Sequence, residues 1–412
     1  MAAATDRLAG FFRRQSDALL IAFGHGATHW VIATVYVILP FLGKDLGLSF
    51  AQIGGLISLF HAASFIANAG SGAVVDITGR YFTAAWMSLV IGALALIAFG
   101  LGDDLIWLGA AVVVIGVTNN LWHPAAISLL SRAYPASRGF ALSIHTLGAT
   151  FGDILAPLAA GALMLSLTWQ GTAIVNAIPV LLVAAIVLVL GRHIAENDRT
   201  VKAQSATADS GGGYLGDLRK LASNGAVIAV CVMAGFRSMT QNGLLLFLPL
   251  FLVNELGAGP LLVGLAMTGI QAGAIISGPI AGAASDKVGR KPVVLTGLAI
   301  TTVVIAAMNT VSSAAVFIGL ACVLGFAMFA VRPVIHGWSL DLAEDRMSGS
   351  VISLLFGTQS GFTMLVPIVG GLVADRWGLP ATFYLLTVTM LIATILVAII
   401  PSDRKHAAKP AE

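Results

Sequence analysis

Charge is scarce in this chain. Asp, Glu, Lys and Arg make up 10% of its 412 residues, against about a quarter in soluble domains. So few charges exclude an ordinary soluble enzyme, whose surface they could not cover. Cysteine is scarcer still. Cys231 and Cys322 both fall in apolar runs, which excludes a disulfide framework and a CxxC metal site. No phosphate-cradling GxxxxGK(S/T) loop is present, so ATP does not drive the protein directly. Arg7, Arg13 and Arg14 precede the first apolar run, and no short core with a small-residue cleavage site follows. No cleaved signal peptide is therefore expected. Polar stretches are missing too, save one at 192–224.

Apolar residues take their place, at 58% of the chain, and 46 glycines suit a bundle whose helix backbones approach closely. The net charge of +3 comes from basic residues in short loops between apolar runs, so no nucleic-acid partner is expected. A membrane span takes about 20 apolar residues. Twelve such runs occur: 18–42, 50–73, 82–101, 105–130, 139–165, 170–191, 225–253, 261–283, 292–311, 314–340, 349–372 and 378–400. The interval 192–224, rich in Gly, Ser and charge, reads as a flexible linker between six spans and six. The expected fold is all-α, with twelve transmembrane helices: an N-terminal bundle in 1–191, the linker, and a C-terminal bundle in 225–412 ending in a short tail. Of 22 Lys and Arg, 18 fall on the side of the N-terminus, only Lys44 and Arg376 on the other, and Arg237 and Arg332 inside spans. That bias predicts both termini and the linker in the cytoplasm, in a cell inner membrane.

The two sets of six are copies. GAVVDITGRY (72–81) aligns with GAASDKVGRK (282–291), and DLGLSFAQIGG (45–55) with ELGAGPLLVGL (255–265), all at an offset of 210 residues. The match puts Asp76 on Asp286, Gly79 on Gly289 and Arg80 on Arg290. Pro124 falls on Pro333 and Pro40 on Pro249 with a one-residue slip, while Pro157 and Gly161 fall on Pro367 and Gly371. Both copies begin on the same side, so the repeats are parallel, an arrangement that places a substrate path between halves near mid-membrane.

On these residues the chain resembles the major facilitator superfamily over nearly its whole length. The loop Asp76–Arg80, its fuller copy Asp286–Lys291 and the Arg138-Gly139 start of the fifth helix carry the likeness. Within that superfamily it resembles the fosmidomycin-resistance-like exporters, through His25 with a late LPFL (39–42), GLSFAQIGGLISLF (47–60), NNLWHPAAISLLSR (119–132) and GFRSMTQNGLLLFLPLFLV (235–253). It departs at His29, where that subfamily usually has an acid, and at Ala125, where an acid often follows the His-Pro pair. The resemblance implies a monomeric, non-enzymatic transporter without a cofactor, rocking between inward- and outward-open states, with helices 1, 4, 7 and 10 lining the cavity and with export as the direction.

Ionisable residues inside spans cost a few kcal/mol to insert and are functional candidates. They are His25, His29, His61, His123, His145, His336, Asp153, Arg237 and Arg332. Four pairs share a helix face at i,i+4: His25 with His29, Asn119 with His123, Arg237 with Gln241, and Arg332 with His336. Each lies in helix 1, 4, 7 or 10, and all eight are candidate substrate contacts. Arg237 and Arg332, read as buried bases, present planar donor forks suited to carboxylate, phosphate or phosphonate. The bland alternative pairs them with Asp153 or with carbonyls. Asp153, the one acid deep in a helix, is the candidate proton carrier, with the histidines as rivals. His25 and His29 have metal-ligand spacing, but no thiolate or second acid accompanies them and two arginines oppose a cation, so no metal is expected. His61 and His145, whose counterparts are Gln271 and Leu355, read as hydrogen-bonding packing residues between helices. Asp76, Arg80, Asp286 and Arg290 read as gating groups at helix ends. The expected partners are a small organic anion, protons and the bilayer. The alternatives are an exporter of neutral or cationic drugs and a receptor that binds without transporting.

Overall fold

The computed structural model describes residues 15–194, 224–342 and 348–400; the side chains of Ala69, Ala73, Asp76 and residues 348–350 lie outside that description, as do most of the linker and both termini. Twelve long α-helices fill the described residues, with no strand among them. The first six are α1 (Ser16–Asp45), α2 (Phe50–Thr78), α3 (Tyr81–Gly100), α4 (Leu105–Ala133), α5 (Arg138–Leu163) and α6 (Trp169–Leu190). The second six are α7 (Gly225–Asn254), α8 (Pro260–Val288), α9 (Arg290–Met308), α10 (Ala314–Asp341), α11 (Ser348–Trp377) and α12 (Leu379–Ile399). All twelve are long and apolar enough to cross a membrane. Each corresponds to one of the twelve apolar runs. Several overshoot them: α1 has 30 residues, about 45 Å at 1.5 Å per residue, against a hydrocarbon core of about 30 Å.

The sequence repeat is also a backbone repeat. Gly47 (φ 62°) and Gly257 (φ 61°) turn the chain into α2 and α8, and Gly79 (φ 60°) and Gly289 (φ 93°) turn it into α3 and α9. A side chain at positive φ meets the preceding backbone, so these turns select glycine in both copies. Prolines sit inside α1, α4 and α5 and again inside α7, α10 and α11.

Among the described residues the chain forms two compact units. The first holds 15–46, 59–194 and 260–268, and the second 47–58, 224–259, 269–342 and 348–400. In the first, α1 packs most extensively on α5, then on α6, while α3 bridges α4 and α6. The α1–α5 seam is a backbone contact. A Cβ on Gly148 would lie 2.0 Å from the Ala22 carbonyl oxygen, and one on Gly152 2.2 Å from that of Gly26. In the second unit α7 packs on α11 and α12, and α9 bridges α10 and α12. There the α7–α11 contact is made by side chains, with the Phe362 ring against Gly235 and edge-on to Phe236. The glycine seam of the first unit brings α1 and α5 close enough for their polar side chains to reach each other's main chain.

Candidate functional site

In the first unit four helical turns place histidines on one spot. His25 Nδ1 lies 2.8 Å from the His145 carbonyl oxygen, and His25 Nε2 lies 3.2 Å from His123 Nε2. His123 Nδ1 in turn lies 2.9 Å from the Asn119 carbonyl oxygen, one helical turn back. The His145 ring stacks on His25 at 3.8 Å with 10° between planes, and its Nε2 accepts from the Trp122 indole N–H at 3.1 Å. His29 Nδ1 contacts both carboxylate oxygens of Asp153, at 3.1 and 3.2 Å. His25 and His145 are buried, whereas His29, His123 and Asp153 are partly exposed. His25, His29 and His123 each offer a ring nitrogen within 4.8 Å of the others, a spacing that an ion can use.

Asp153 pairs with His29 and not with an arginine, because α1 and α5 share the close seam. His145 is a buried, hydrogen-bonding packing residue: its carbonyl and stacked ring hold His25, and its Nε2 accepts the Trp122 indole N–H. Its apolar counterpart Leu355 gave no sign of which partners it takes, since the repeat predicts shared scaffolding and not polar pairing. His61 accepts from or donates to Tyr36 Oη at 3.4 Å. Asn119 is tied to His123, as the i,i+4 spacing suggests, but through its main chain. Trp30, whose indole donates to Asn176 Oδ1 at 3.0 Å, joins α1 to α6.

In the second unit Arg237 is 2% exposed. One guanidinium N–H donates to the Met328 carbonyl at 2.7 Å, while Nε has no protein partner. Gln241, one turn on, has a buried Oε1 that is likewise unsatisfied. Arg332 and His336 are within electrostatic reach of Arg237. Arg332 is exposed, not buried as its sequence context suggests. A guanidinium on an exposed face in mid-helix adjoins water, since lipid contact would cost several kcal/mol. The acids described in this unit, Glu255, Asp286, Asp341 and Asp375, all stand at helix ends. Ser238 Oγ donates to Gln359 Oε1 at 2.8 Å, a polar pair that the sequence reading missed.

The second loop copy is an ion cluster. Arg290 reaches Asp286 at 2.6 Å, Ser285 Oγ at 2.6 Å and Asp341 at 3.1 Å. Asp341 comes from the far end of α10 and had no signal in the sequence. In the first copy Arg80 stands exposed at the start of α3, and the Asp76 side chain lies outside the described residues. The substituted residue there, Tyr81, accepts from Arg132 at 2.5 Å, with that guanidinium 3.9 Å above its ring. Lys291, its counterpart, donates to the Ala398 and Ile400 carbonyls at the end of α12. Where these groups meet a helix C-terminus, a cation is favoured by the unpaired carbonyls.

The family description "Major Facilitator Superfamily" matches residues 21–240 and 230–412. Among curated proteins, the fosmidomycin resistance protein of Escherichia coli (strain K12) is 23% identical over 399 residues, covering 93% of this chain and 92% of that protein. Among solved structures, the nucleoside transporter NupG superposes with a TM-score of 0.75 at 12% identity, covering 94% of this chain and 99% of that one. A bacterial homolog of the human lysosomal transporter Spinster, in an inward-facing and occupied conformation, superposes with a TM-score of 0.69 at 18% identity, over 96% and 98% of the two chains.

Proposed function

The chain belongs to the Major Facilitator Superfamily, and from that premise we propose that it moves a small organic anion by proton-coupled alternating access. It is a multi-pass membrane protein and a transporter by family. The anion reading rests on one observation. Arg237 is a buried cation in a unit whose described acids are all at helix ends, and its Nε–H has no protein partner. An uncompensated buried charge costs several kcal/mol. A carboxylate, phosphate or phosphonate accepting from Arg237 and Arg332 offsets that cost and uses the fork geometry. His336 and Gln241, one turn from Arg237, complete the polar set on this reading. The same charges disfavour cationic drugs.

Proton coupling is supported by the His29–Asp153 pair, two groups that exchange protons readily when close. Export is supported by the likeness to the fosmidomycin resistance protein over nearly its full length, since removing a drug from the cell is one way to resist it. The distribution of Lys and Arg supports an inner-membrane protein with both termini and the 192–224 linker cytoplasmic, joining bundles 1–191 and 225–412. We take the working unit to be a monomer.

The test is binding to purified protein, screened by thermal shift against carboxylates, phosphonates and sugar phosphates. Arg237→Ala and Arg332→Ala should each weaken the best anion about 10- to 100-fold, the worth of one charge-assisted hydrogen bond or bidentate pair. Unchanged affinity in both variants would sink the anion reading. A second reading, export of neutral apolar compounds, is favoured by a cavity of about 480 Å³ walled by Phe23, Trp30, Phe151 and Pro179 in the first unit. Quenching of Trp30 fluorescence by such compounds, undisturbed by the arginine variants, would support it.

A further inference from the structure

His25 and His123 meet through nitrogens that both lack a hydrogen when the rings are neutral. A carbonyl oxygen only accepts, so the His25 Nδ1 facing the His145 carbonyl must carry that ring's proton. The same holds for His123 Nδ1 against the Asn119 carbonyl. Each neutral imidazole has one N–H, so both Nε2 atoms are left with lone pairs. Those two atoms stand 3.2 Å apart, which is hydrogen-bond distance and repulsive for two lone pairs. One additional proton turns the contact into an N–H···N bond.

Charge balance favours that proton. His29, edge-on to His25 at 4.8 Å between ring centroids, holds Asp153 on its other side. One shared proton and one ionised carboxylate leave the cluster neutral, whereas the carboxylate alone would be an uncompensated charge inside a span. His145 accepts the Trp122 N–H at Nε2, so it keeps its own proton on Nδ1 and lies as a neutral ring against His25. Among the described residues, few other titratable groups stand on the neighbouring helices. Tyr36 on α1 bonds His61 on α2, α3 offers only Tyr81, which is held by Arg132, and α6 has none.

We propose that His25 and His123 share one proton between their Nε2 atoms, and that this proton, balanced by Asp153 through His29, is the one the transporter carries. The idea rests on the proton-coupled reading above and shifts the carrier from Asp153 to the histidine pair, leaving Asp153 as a positioning charge. No bond other than N–H forms or breaks: the pair takes one proton from water on one side and returns it on the other.

The experiment is ¹⁵N NMR of histidine-labelled, chelator-treated protein in lipid, with His25→Gln and His123→Gln for assignment and His193→Gln as an exposed control. Two rings should show Nδ1–H signals and a through-hydrogen nitrogen–nitrogen coupling between their Nε2 atoms, and either glutamine variant should abolish the coupling. Asp153→Asn should weaken the shared-proton signal at fixed pH, an effect that loss of packing alone would not produce. Two uncoupled neutral rings in the wild type would overturn the proposal. A coupling replaced by one-to-one Zn²⁺-dependent shifts of both rings would overturn it in favour of an ion site. Neither readout depends on the anion, so Arg237→Ala should leave the coupling intact. Coupling present without pH-driven accumulation would overturn the carrier role while leaving the anion reading untouched.

Discussion

Gly148 and Gly139 lie in the same helix and face opposite fates on substitution. A Cβ at Gly148 would sit 2.0 Å from the Ala22 carbonyl oxygen, and a main-chain atom cannot swing aside. A Cβ at Gly139 would have nothing within 4 Å. Gly148→Ala should therefore lower thermal stability by several kcal/mol or prevent folding, through the forced separation of α1 and α5. Gly139→Ala should be neutral or stabilise by up to about 1 kcal/mol, because alanine restricts the unfolded chain. Equal melting temperatures for the two variants would contradict the seam. At this scale the sequence was only partly legible. The i,i+4 rule found His25 with His29 and Asn119 with His123, because those neighbours are set by helix geometry alone. It could not find His145 stacked on His25, because the α1–α5 approach that joins them depends on glycines whose role appears only when the helices are packed, nor Trp122 of α4 bonded to His145 of α5, a pair on two helices that no i,i+4 spacing announces. Arg332 was misjudged for a related reason. Spans are read as uniformly buried, although one face of a helix can border water.

Among elements, the α8–α9 turn was the most legible part of the chain. Gly289 at positive φ and the i,i+4 pair Asp286–Arg290 are local and repeat at Gly79 and Asp76–Arg80 in the sequence. What remained hidden was Asp341, 51 residues away at the end of α10. Its bond to Arg290 ties α9 to α10 by a partly exposed ion pair, worth at most about 1 kcal/mol. Such a pair contributes little to stability but is large enough to bias two conformations. Asp341→Asn should change the anion exchange rate in proteoliposomes about two- to fivefold, the effect of roughly 0.5–1 kcal/mol on a two-state balance. High salt should move the wild type in the same direction by screening. Identical rates for variant and wild type at both ionic strengths would remove Arg290–Asp341 from any gating role.

Over the whole molecule, duplication supplies the helices and asymmetry supplies the chemistry. The first unit gathers histidines and one acid, while the second gathers arginines with acids only at its described helix ends. On the proposed reading, this separation lets coupling and recognition be broken independently. Asp153→Asn should lose accumulation driven by a pH gradient while keeping anion counterflow, since exchange needs no net proton movement. Accumulation retained in that variant would remove Asp153 from its balancing role, and absence of flux for every anion that binds would point to a receptor. The twelve spans and their repeat were readable because hydrophobic length and turn glycines are properties of the chain alone. The pairing of Asp153 was not, because it depends on which helices touch.

The acceptors that orient His25 and His123 belong to the peptide backbone, and a codon change cannot delete a carbonyl. Orientation is thus inherited with the helices, and identity must be preserved only in the two rings. In a mutagenised library selected for transport, positions 25 and 123 would return unchanged.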